Sequence, residues 1–110
     1  MTDVTALSKP DRARELSSGL ILMYLFRREL TELERTCLSE FETAMPNFRV
    51  ITAKSPLPDR HQVRIGPCLI VYEDGKLKGQ RAGVLESRAM LDRWLRSIKK
   101  GPPLPPLVQP

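Results

Sequence analysis

"PCLIVYEDGKLKGQRAG", Pro67 to Gly83, is the stretch on which the fold reading turns. It holds two extended segments around Asp74-Gly75. An Asp-Gly pair in that setting is a strong hairpin signal, because a type I′ turn needs positive φ at both central residues. The spacing therefore predicts a strand from about Cys68, a two-residue turn and an antiparallel partner strand. Just downstream, "ESRAMLDRWLRSIKK" places Met90, Leu91, Trp94, Leu95 and Ile98 on one helical face. Its cationic end (Arg96, Lys99, Lys100) complements the helix dipole. Beyond Gly101, "PPLPPLVQP" suits only extended polyproline conformation, either as a ligand for an SH3-like or WW-like groove or as an unfolded appendage.

Upstream, "LILMYLF" (Leu20–Phe26) is continuously apolar and of strand length, which predicts a central strand buried on both faces. Thr31 with Glu34 forms a T-x-x-E capping box and starts a helix. Its apolar stripe is read through Leu33, Cys37, Phe41 and Ala44, widened by Leu30, Leu38 and Met45, until Pro46 and Asn47 stop it. "FRVITAK" (Phe48–Lys54) reads as a strand with Phe48, Val50 and Thr52 on one side. A short helix is expected after Ser8, with Pro10 near its start. "SPLPDRHQ" is too broken by Pro56 and Pro58 for a long helix. The order is (α)βαβ, then a ββ hairpin, then α: a mixed four-stranded sheet between helices.

The 110 residues make one domain, taken as 1–100, with 101–110 as a Pro-rich tail. Apolar content of 41% and charge of 28% are ordinary for a soluble globule. No apolar run approaches membrane-spanning length, and acid stands at the start where a signal peptide carries base, so a cytoplasmic protein without a membrane partner is expected. The +5 net charge permits an acidic partner, but bases and acids are interleaved rather than blocked. Two distant cysteines and a single histidine, His61, argue against a disulfide framework or a metal centre, and no cofactor is expected.

The order and several residues resemble the thioredoxin superfamily over roughly Gly19 to Ile98. "GLILMYLF" looks like its central strand, and "RIGPCLIVYEDGKLKGQRAGVLESRAMLDRWL" like its second half. The resemblance implies a three-layer α/β sandwich with the third helix shortened or absent. It also implies a cis peptide bond before Pro67, with the Gly66 backbone able to pair with an extended partner. The family's Cys-x-x-Cys falls on Leu30, Thr31, Glu32 and Leu33, and its buried acid on Tyr24. With leucine at both sulfur positions, dithiol exchange is not expected there.

Function is therefore expected to be protein binding, chaperoning or assembly through the old active-site face, without catalysis. The partner-binding residues on that reading are Arg27, Arg28, Leu30, Leu33, Gly66 and Pro67. The partner would be an extended or acidic protein segment, or a second copy. Leu30 and Leu33 either form an apolar groove with Phe26 or lie beneath the shortened loop. Cys68 offers an alternative as a single-cysteine redox sensor or oxidoreductase, against the bland reading of a small buried residue. Arg60, His61 and Arg64 with Arg27 and Arg28 form either a basic docking patch or scattered solvated charge. Weak nucleic-acid association is the third reading, handicapped by few aromatic platforms.

Overall fold

The structure, a computed structural model, describes residues 1–55, 57–58, 63–64 and 66–98, with backbone alone at 57–58 and 63–64. In chain order the elements are β1 (Thr2–Asp3), α1 (Lys9–Glu15), β2 (Leu20–Phe26), α2 (Glu32–Ala44), β3 (Phe48–Lys54), β4 (Leu57–Pro58), β5 (Val63–Arg64), β6 (Cys68–Glu73), β7 (Lys76–Ala82) and α3 (Arg88–Ser97). The main sheet has the order β1-β3-β2-β6-β7. β1, β3 and β2 run parallel, while β6 and β7 are antiparallel additions.

The sheet has five strands where the sequence pattern predicts four. The extra one is β1, whose two residues pair with Ile51 and Thr52 on β3. Two residues carry no periodicity, so the sequence offers nothing to read there. The chain past β1 stays tied to β3: Val4 N–H donates to the Thr52 carbonyl at 2.9 Å, and Lys54 N–H to Thr5 Oγ1 at 2.8 Å. Val4 is fully buried as a result.

β2 sits at the centre, and its unbroken apolar run follows from being covered on both faces. Leu22, Tyr24 and Phe26 face a core shared with Leu38, Phe41, Leu91 and Leu95 of α2 and α3. Ile21, Met23 and Leu25 face a second core with Val4, Ile70 and Cys68, against which Leu7 and Leu16 flanking α1 pack. β3 has Phe48 and Val50 in one core, on the shared side that the sequence pattern predicts for them, and Ile51 and Ala53 in the other, so it too is buried on both faces. Thr52 is buried too, with its hydroxyl donating to Asp3 at 3.2 Å.

The turn at Asp74-Gly75 has φ of 49° and 81°, the paired positive values the sequence predicts. The same turn clasps the start of β2: Gly19 N–H donates to Asp74 Oδ1 at 2.9 Å, and Asp74 N–H to the Gly19 carbonyl at 3.0 Å. On β7, Gly79 leaves room for α3, since a Cβ there would meet Ile98 Cδ1 at 2.7 Å. Trp94, expected in the core, is partly buried against it.

Between β3 and β6 the described residues contain no helix, only the two-residue ladder of β4 and β5. Arg60, His61, Lys99, Lys100 and the tail 101–110 lie outside the described residues, and of Arg64 only the backbone is described. No helix among the described residues is long and apolar enough to cross a membrane.

Candidate functional site

β2 ends at Phe26, and five residues later Thr31 caps α2. Thr31 accepts a hydrogen bond on Oγ1 from Glu34 N–H at 3.1 Å, while Glu34 Oε1 accepts from Thr31 N–H at 2.9 Å. Both arms of the sequence-read capping box are thus formed, which holds two first-turn amides that have no intrahelical acceptor.

Beside this entrance runs the loop into β6, where the Gly66-Pro67 peptide bond is cis, as the resemblance implies. Gly66 is buried, and a Cβ on it would stand 2.8 Å from the Leu25 carbonyl oxygen. Glycine is needed here because the loop presses directly on the β2 backbone. Across the loop, Gly83 N–H donates to the Pro67 carbonyl at 2.9 Å, tying the end of β7 to the same corner.

These elements enclose an open cleft of about 570 Å³, lined by Tyr24, Phe26, Arg27, Arg28, Glu29, Thr31, Glu34, Pro67 and Val84. That volume lies within the range of ligand-binding clefts. Phe26, Pro67 and Val84 are its apolar parts, and Val84 is 53% exposed. Arg27 and Arg28 are exposed and make no ion pair or hydrogen bond among the described residues.

The floor is a hydrogen-bonded chain. Tyr24 Oη donates to Glu34 Oε2 and accepts from Leu85 N–H at 3.2 Å. It joins β2, the first turn of α2 and the segment leading into α3. Burial, and then the bond to the Glu34 carboxylate, push the Tyr24 phenol well above its usual range. Glu34 is only 7% exposed, and its two oxygens take one donor each. A buried carboxylate is tolerable here because both bonds are charge-assisted and the helix N-terminus favours negative charge.

The structure regroups the sequence-read site. Arg27, Arg28 and Pro67 line the cleft, whereas Leu30 and Leu33 do not. Leu30 packs partly against the α2/α3 core, and Leu33 is 55% exposed beyond the cleft. The buried stripe of α2 is Glu34, Cys37, Leu38 and Phe41, one residue later at its start than the pattern through Leu33. The i, i+3 pair that the helix entrance presents to the cleft is therefore Thr31 and Glu34. Sequence reading took Glu34 as a cap and missed it as cleft floor, although the capping box itself carried that spacing.

No disulfide joins the cysteines. Cys37 lies in the α2/α3 core and Cys68 in the α1 core, with the sheet between them. Burial pushes the Cys37 thiol up. Cys68 adjoins Pro67 in sequence, but its side chain is 2% exposed on the far face of the sheet. No cysteine is among the described residues lining the cleft, and no three His, Cys, Asp or Glu among the described residues converge to hold a metal ion.

No protein-family model matches the chain, and no curated protein matches it in sequence. Solved structures do match in shape. A chain from a structure of thiol resolution in yeast mitochondrial 1-Cys peroxiredoxin via glutathione/thioredoxin systems superposes with a TM-score of 0.65 at 16% identity, covering 89% of this chain and 95% of that one. A cysteine-to-serine mutant of Entamoeba histolytica thioredoxin gives 0.65 at 15% identity, covering 88% and 98%. A designed protein gives 0.62 at 12% identity, covering 86% and 91%. At such identities the likeness is one of architecture, and it agrees with the sheet order and the cis-proline corner: the chain has a thioredoxin-like fold.

Proposed function

We propose that the protein is a non-catalytic binding module that holds an extended segment of a protein partner in the cleft between the α2 entrance and Pro67. The observation that carries this reading is the lining: an open cleft with apolar and cationic walls whose helix-entrance pair is Thr31 and Glu34. Disulfide exchange needs an accessible thiolate, and neither a hydroxyl nor a carboxylate substitutes for one. Cys68 does not restore that chemistry from the buried face of the sheet. Glu34 is engaged by Tyr24 and Thr31 and serves as a fixed floor.

Selection of a random peptide library on the purified protein tests the reading. Peptides retained by the wild-type protein are expected to be lost on Val84→Glu, which places a charge on the exposed apolar wall without touching the core. Retention unchanged by Val84→Glu, or wild-type turnover of a disulfide substrate abolished by Cys68→Ser, overturns it.

A further inference from the structure

The cleft wall is not electrically neutral to an occupant. Four charged side chains line it: Arg27, Arg28, Glu29 and Glu34. Glu34 is buried and takes donors from Tyr24 and Thr31, so an incoming group meets little of it. That leaves two adjacent exposed guanidiniums, neither engaged by a described residue, against the single exposed carboxylate of Glu29. Guanidinium recognises carboxylate through paired, planar hydrogen bonds, and an apolar wall beside it excludes competing water. Next to the arginines lie Phe26, Pro67 and Val84.

We infer that Arg27 and Arg28 set the specificity of this cleft, selecting a protein segment in which an apolar side chain is flanked by aspartate or glutamate. This rests on the proposed function and names its partner chemistry. The apolar side chain seats on Phe26, Pro67 and Val84, and the flanking acid meets the arginines. Glu29, on the same connection, repels the carboxylate from its own side and so favours one direction for the segment. A basic segment meets two like charges for each unlike one, and is rejected.

Three fluorescein-labelled twelve-residue peptides test this against the full chain: one phenylalanine flanked by glutamates, one phenylalanine flanked by lysines, and one phenylalanine flanked by serine and glycine. The acidic peptide is expected to bind best, and its lead over the neutral one to shrink as salt rises from 50 to 500 mM, because exposed charge is screened. Arg27→Gln/Arg28→Gln, which alters only exposed side chains, is expected to cut acidic-peptide affinity roughly tenfold and neutral-peptide affinity far less, so that the acidic peptide loses its lead. Equal binding of all three peptides, or a preference for the lysine peptide, overturns the specificity while leaving the cleft reading intact. Failure of every peptide to bind overturns both.

Discussion

Two helices begin near the Tyr24–Leu85 contact, and they begin differently. α3 is capped simply: Ser87 Oγ accepts from Met90 N–H at 3.1 Å, and Met90 itself drops into the core. α2 is capped by Thr31, and its corresponding residue is Glu34, whose carboxylate turns back to Thr31 and reaches on to Tyr24. Ser87 caps the start of one helix. Glu34 completes the cap of the other, floors a cleft and, through Tyr24, holds the Leu85 segment in place. A capping residue that is also buried in a polar chain has more to lose than a surface cap, and that difference is open to measurement.

The largest effect is expected for Glu34→Ala. It frees Thr31 N–H and leaves the Tyr24 hydroxyl without an acceptor, at a cost of about 3 kcal/mol in chemical denaturation. A loss no greater than that of a surface cap would dissolve the contrast between the helices. Tyr24→Phe is next, at about 2 kcal/mol, because a buried carboxylate loses one donor and Leu85 N–H its acceptor. This variant also carries a pH signature. Tyrosine ionises near 10 in the unfolded chain, whereas Tyr24 in the folded protein keeps its proton to higher pH. The folded state then binds more protons, so wild-type stability falls as pH rises above about 10, by up to about 1.4 kcal/mol per pH unit. Tyr24→Phe lacks that component, and parallel curves for the two proteins would refute the buried phenol.

Ser87→Ala is expected to cost about 1 kcal/mol, the ordinary value of a helix cap. Smallest of all is Leu33→Glu. Its side chain stands outside both the core and the cleft, so stability is expected to change by less than ~0.5 kcal/mol and peptide retention not at all. Loss of retention would return Leu33 to the binding face where the family resemblance put it.

Leu33 also shows where sequence reading stops. The central strand, the capping box, the Asp74-Gly75 hairpin, the α3 face and the cis bond before Pro67 were all legible, because each is dictated by local pattern or by the family resemblance. The register of the cleft was not. Apolar periodicity fixes which face of a helix is inward only within about one residue, and Leu33, at i−4 from Cys37, mimics the start of the stripe that Glu34, at i−3, begins. Nothing in a one-dimensional pattern announces that a glutamate will be buried, since its burial depends on Tyr24, ten residues earlier on a different element. β1 was missed for a different reason, its two residues being too short to show any period.

The direct test is disulfide reduction assayed on three proteins shown to be folded: wild type, Thr31→Cys/Glu34→Cys and Leu30→Cys/Leu33→Cys. A cleft that holds and does not convert, with Thr31 and Glu34 as its facing pair, predicts no turnover by the wild type, measurable turnover once thiols stand at 31 and 34, and none with thiols at 30 and 33. Turnover by the wild type, or by the leucine-position pair in place of the other, would contradict it.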